Sequence, residues 1–133
     1  SSSWALMYDD NGKYKKTAPG YLLELMGQKG IGNSVECTID KSFDASKISA
    51  GAIKTKNGLN LFLVNTSNDF DTTLNINIDG NYRLNKQTVI TADRYDCDIY
   101  NDTDEINIIS ENKDAKINSF VLNKRSIVLL LFI

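Results

Sequence analysis

The chain has 133 residues, 15 basic against 17 acidic side chains for a formal net charge of −2, one proline and no histidine. That length suits a single domain burying roughly two-thirds of its unfolded surface, and 41% hydrophobic with 24% charged residues is ordinary globular composition. Without histidine the chain cannot build a Ser-His-Asp triad, a Cys-His pair, a His-containing zinc site or an imidazole proton shuttle, and its near-neutral charge argues against a nucleic-acid partner.

Ser1-Ser2-Ser3 leads directly into Trp4-Ala5-Leu6-Met7-Tyr8, without the basic region or long apolar stretch of a targeting segment. Because the chain opens on Ser1 rather than on a methionine, it reads as a piece of a longer protein. Thr17 supplies a hydroxyl cap ahead of Ala18-Pro19-Gly20, and Tyr21, Leu22, Leu25 and Met26 then recur at helical spacing. This predicts one short N-terminal helix of about ten residues, too short to persist alone in water. Gly27, Gly30 and Gly32 follow it. A phosphate loop needs its glycines after a strand and before a helix, so these are read as a C-cap and turn.

From Ser34 onward the period becomes two. Val35, Cys37 and Ile39 alternate with polar residues, predicting a strand with one buried face. Ile48–Lys54 and Leu59–Asn65 flank Lys56-Asn57-Gly58, a hairpin signal in which both turn residues are expected at positive φ. Thr73–Asp79 places Leu74, Ile76 and Ile78 on one face, and Asp79-Gly80 supplies a turn. Further strands are expected at Arg83–Leu84, Gln87–Ala92, Cys97–Tyr100, Glu105–Ser110 and Ser119–Leu122. The last, Ser126–Phe132, is apolar on both faces and so should be central or covered on both sides. The apolar run Ile127–Ile133 is far short of the about 20 residues a membrane helix needs, and no membrane partner is expected. The sum is a mainly β chain: an antiparallel β-sandwich of jelly-roll or immunoglobulin-like type with about eight strands and one short N-terminal helix. Residues 1–33 form the atypical N-terminal segment and residues 34–133 the sandwich.

Chemistry is sparse. Cys37 and Cys97 form no CxxC pair, which leaves a disulfide or two buried free thiols. Asn65-Thr66-Ser67 and Asn101-Asp102-Thr103 match the glycosylation sequon but are read as chance matches in an Asn-rich chain. No cofactor is expected. The acidic stretches Asp93–Asp98 and Asp102–Glu105 make calcium a weak candidate, and no EF-hand loop is present. Asp69 with Asp71, or Asp96 with Asp98, would point the same way on a strand, about 6–7 Å apart. Nothing marks a desolvated pocket that would turn either pair into glycosidase machinery, so no catalytic residue is assigned. Tyr82, Tyr95 and Tyr100 fall in expected loop or edge regions, where aromatic rings can stack on sugars; Tyr is equally at home in half-buried strand positions.

The segment Trp4–Tyr14, followed by Thr17–Gly27, resembles the end of a (β/α)-eight barrel in retaining clan A glycoside hydrolases of the arabinofuranosidase, β-xylosidase and heparanase type. There a Trp-bearing final strand precedes a "dG-kykp-tpgYyllel" stretch and a C-terminal β-sandwich. Gly58–Ser67 is similar to the "l-l-l-v-N-t-s" strand of that sandwich, and Leu122–Leu130 to its closing "l-p-r-S-v-v-l-l" strand, with Asn123-Lys124 standing where a proline is usual. The resemblance implies that the catalytic glutamates lie upstream of Ser1, that neither Glu24 nor Glu36 is one of them, and that Trp4 could face a sugar. It implies an extracellular or cell-surface parent protein. The expected function is a non-catalytic accessory domain that packs on the catalytic barrel, its partner within the parent protein. The alternatives are a carbohydrate-binding module with a polysaccharide partner, and an immunoglobulin-like adhesion or interaction domain of a surface protein.

Overall fold

The computed structural model of the chain describes residues 7–10, 13–16, 32–38, 47–92 and 106–133. The expected helix within residues 17–27 and the expected strand Cys97–Tyr100 lie outside these residues. The described elements are ten strands: β1 (Met7–Asp10), β2 (Lys13–Lys16), β3 (Asn33–Val35), β4 (Ile48–Lys54), β5 (Leu59–Asn65), β6 (Thr72–Asn75), β7 (Leu84–Ala92), β8 (Ile106–Ala115), β9 (Ser119–Leu122) and β10 (Ser126–Phe132).

The fold is mainly β, and all of its strand pairs are antiparallel. A six-stranded sheet runs β3-β4-β5-β10-β7-β8, and β6 pairs with β9 in a second, smaller sheet. These two sheets hold eight strands, in keeping with the about eight expected of the sandwich. A separate pair, β1 with β2, was not foreseen; Asp10 stands opposite Lys13, with Asn11-Gly12 between them in sequence.

The all-apolar segment Ser126–Phe132 sits where its pattern requires, between β5 and β7. Val128, Leu130 and Phe132 point to one face of the sheet, level with Leu63, Leu61 and Leu59. The smaller sheet closes over that face. Leu74, Ile76, Phe120 and Leu122 pack with these residues in one cluster, in which Leu130 and Leu122 are fully buried. The two-layer, sandwich-like arrangement follows from that shared core.

Several local expectations change. The Asn57-Gly58 hairpin forms, but neither residue takes positive φ. Lys54 pairs with Leu59, so the loop has four residues, Thr55–Gly58, rather than a two-residue turn. Thr55 closes it: its amide donates to the Gly58 carbonyl at 2.9 Å, and the Gly58 amide donates to Thr55 Oγ1 at 3.1 Å. Glycine is needed at 58 for space, since a Cβ there would strike the Phe132 carbonyl oxygen. At Gly80 the reason is conformational, with φ of 112°.

The strand expected over Thr73–Asp79 ends at Asn75. Beyond it the Ile76 amide donates to the Asn118 carbonyl at 2.9 Å, which keeps Ile76 and Ile78 on the core face. The separate strands expected around Arg83 and Gln87 are one, Leu84–Ala92, with an irregularity between Leu84 and Lys86. The first sandwich strand has no buried face: Asn33–Val35 is exposed throughout, and Val35 is 40% exposed. It lies at the sheet edge, paired with β4 alone among the described strands.

Candidate functional site

The end of the sandwich where β5 leaves the sheet carries the densest polar network among the described residues. Alternation along β5 puts Asn65 on the same face as Leu61 and Leu63, and pairing sets it beside Ser126 and Ile48. It is only 1% exposed. Burial of an amide demands partners, and the fold supplies them. Nδ2 donates to the carbonyls of Phe70 at 3.1 Å and Leu122 at 3.3 Å, and Oδ1 accepts from the Ser67 amide at 2.9 Å.

Ser67 continues the network, its Oγ accepting from the amides of Asp69 at 3.1 Å and Phe70 at 3.2 Å. Arg125 closes it from the β9–β10 connection. Its backbone sits at φ of 51°, the left-handed region that costs a non-glycine residue about 1–3 kcal/mol. The conformation is held by a set of hydrogen bonds. The Arg125 amide donates to Ser67 O at 3.1 Å, Nε to Ala92 O at 3.0 Å, and Nη1 to Asn68 Oδ1 at 2.7 Å. Residues 66–71, the turn before β10 and the end of β7 are thereby joined into one rigid loop cluster.

This arrangement determines several sequence expectations. Asn65 has its whole amide engaged and buried, so a glycan at the Asn65-Thr66-Ser67 sequon is incompatible with the fold. Asn101 lies outside the described residues. Asp69 and Asp71 sit in the loop between β5 and β6 and share no strand, so the spacing that would aim them alike is absent. Asp71 instead accepts a hydrogen bond from the Lys124 amide at 2.8 Å. Among the described residues no three His, Cys, Asp or Glu side chains are grouped to hold a metal ion; Asp93–Asp98 and Asp102–Glu105 lie outside them.

Of the four aromatic candidates for sugar stacking, Trp4, Tyr95 and Tyr100 are outside the described residues. Tyr82 is half-buried, packed against the core, with its ring beside Gly80. Cys37 is a free thiol and exposed, which corrects the buried placement that its alternation suggested. Partial burial pushes its pKa up by disfavouring the thiolate. Cys97 lies outside the described residues.

The sequence reading missed the structural role of Asn65 and Arg125. The available signal was an Asn at the inward-facing end of an apolar strand, followed by two hydroxyl residues that favour local backbone hydrogen bonds.

Fold and loop cluster together define an antiparallel β-sandwich domain. No family profile and no curated protein matches the sequence. Among solved structures, the GH51 arabinofuranosidase from Xanthomonas axonopodis pv. citri is similar over 96% of this chain and 28% of its own, with a TM-score of 0.71 and 15% identity. A β-porphyranase of glycoside hydrolase family 86 from the human gut bacterium Bacteroides plebeius is similar over 96% of this chain and 22% of its own, with a TM-score of 0.67 and 17% identity. A further structure, BuGH86wt in complex with neoagarooctaose, matches 96% of this chain and 20% of its own, with a TM-score of 0.60 and 14% identity. The chain thus has the fold of a part of these glycoside hydrolases, and spans less than a third of their length.

Proposed function

We propose that the chain is the non-catalytic accessory β-sandwich of a glycoside hydrolase, stabilising a catalytic barrel carried by the same polypeptide. The observation that carries the proposal is the coverage: 96% of this chain corresponds to only 20–28% of hydrolase chains. The resemblance of Trp4–Tyr14 and Thr17–Gly27 to a barrel end supports residues 1–33 as that end and residues 34–133 as the sandwich. Among the described residues the polar network holds loops together, and the Asp69/Asp71 pair has no shared strand to aim it.

Two measurements test this. The reading frame upstream of Ser1 should encode βα repeats with glutamate-bearing strands, and the purified 133-residue chain should not turn over aryl-glycosides. Measured turnover by that chain sinks the proposal. Sugar contact by Trp4, Tyr82, Tyr95 or Tyr100 is a separate proposal, supported by the affinity of aromatic rings for sugar faces. It expects retention on a polysaccharide gel that weakens on substitution by alanine, and unretarded migration across a broad glycan panel removes it.

A further inference from the structure

The two edges of the six-stranded sheet are unlike. At one, β3 is only three residues long. At the other, β8 runs ten residues, contains no proline and pairs with β7 alone among the described strands. Every residue from Asn107 to Asp114 is exposed. Ile108 and Ile109 point to opposite faces, and at 39% and 56% exposure they leave both faces of the strand open. A long, partly apolar edge is a template for another strand, because every second amide and carbonyl points away from the sheet.

The charge pattern of β8 selects the strand that fits it. Glu111 and Lys113 share one face, and Glu111 Oε2 accepts from Lys113 Nζ at 3.1 Å and from Gln87 Nε2 at 3.2 Å. Both side chains are thereby held along the edge. Laid antiparallel against itself about a twofold axis at Asn112, β8 sets Glu111 opposite Lys113 of the second copy, and Lys113 opposite its Glu111. Ser110 then stands opposite Asp114, a hydroxyl against a carboxylate. Moving the axis to Glu111 or to Lys113 brings each of those charges against its own kind, and moving it to Ser110 sets them against Ile109 and Asn107. Opposite charges meet in the Asn112 alignment.

We infer that β8 pairs antiparallel with β8 of a second copy of this chain, joining the two six-stranded sheets into one continuous sheet across a twofold axis at Asn112. The arrangement is self-complementary and closed, so it consumes both exposed edges and stops at two copies. It stands independently of the accessory-domain proposal.

The test is sedimentation equilibrium of the 133-residue chain over a range of concentrations at low salt. Pairing predicts a monomer–dimer equilibrium. Lys113→Glu sets glutamates opposite each other at both contacts and should weaken the dimer at least about tenfold. Combining it with Glu111→Lys restores opposite charges in exchanged positions, and should return the dissociation constant to within about threefold of the parent. Both changes are at exposed positions, so the thermal melts of the monomers should agree closely. The register has its own readout. In a chain carrying Cys37→Ser and Cys97→Ser, Asn112→Cys should give a disulfide-linked dimer on mild oxidation, since position 112 faces itself, and Asn107→Cys should not. A monomer at every concentration up to about 1 mM overturns the pairing. A dimer indifferent to Lys113→Glu, one that the charge exchange fails to restore, or one that cross-links equally at 107 and 112 overturns it as well.

Discussion

The side-chain amide of Asn65 donates to the carbonyl of Leu122 at 3.3 Å, joining the end of β5 to the end of β9 across 57 positions of sequence. Both residues are among the most deeply buried of the chain. The bond ties the six-stranded sheet to the smaller one with a polar contact inside an otherwise apolar core, where an unpaired amide would be costly.

Removing that amide should therefore be severe. Asn65→Ala strips the partners from the Phe70 and Leu122 carbonyls and from the Ser67 amide. The expected loss is about 2–4 kcal/mol of unfolding free energy, read from the urea midpoint. Asn65→Asp keeps the acceptor, removes both donated bonds and buries a charge, so it should be at least as damaging at neutral pH. A midpoint unchanged by either variant would contradict the clamp.

The two glycines Gly51 and Gly58 should behave oppositely. A Cβ at Gly58 meets the Phe132 carbonyl, backbone that cannot step aside, so Gly58→Ala should cost on the order of 1–3 kcal/mol. A Cβ at Gly51, within β4, meets nothing within 4 Å. Gly51→Ala should be neutral or stabilise by about 0.5–1 kcal/mol, because glycine in a strand carries excess unfolded-state entropy. Parallel thermal melts of the two variants check the contrast.

Core truncation should follow burial rather than hydrophobicity. Leu130 and Leu122 are completely buried, so Leu130→Ala and Leu122→Ala should each cost about 2–5 kcal/mol. Val121, adjacent in sequence but 56% exposed, should tolerate Val121→Ala within about 0.5 kcal/mol. Chemical denaturation of the three variants distinguishes them.

Cys37 gives a pH-dependent prediction. Partial desolvation raises its pKa in the folded chain, so the folded state holds the thiol proton more tightly than the unfolded one. Its contribution to stability is present below the unfolded-state pKa and is lost as pH rises through the folded-state value. Alkylation at Cys37, followed by peptide mass spectrometry over alkaline pH, should show a midpoint above that of the same thiol in urea. A midpoint at or below the unfolded one would contradict the shift.

The strand patterns of Leu59–Asn65 and Ser126–Phe132 were legible because alternation and double-sided apolarity report directly on how many faces are covered. The β4–β5 hairpin was legible too, but its geometry was not. The four-residue loop depends on Thr55 capping Gly58 and on the approach of Phe132 from 74 positions away. The exposure of Val35 escaped the pattern because an edge strand alternates like any other and differs only in what covers it. Asn65 was visible as a motif residue and a sequon, yet its function as a clamp required Leu122 to arrive beside it.

By itself the sequence determined the period of the chain, the absence of imidazole chemistry and a near-neutral charge balance. Those properties are local or compositional, and they need no knowledge of neighbours. Tertiary structure alone decided which apolar rows became the shared core of the two sheets and which were left on the opposite face. It also decided that Asn65 and Arg125 would use their hydrogen-bonding groups to hold loops together. Both outcomes depend on contacts between segments far apart in the chain, which only the pairing register brings together.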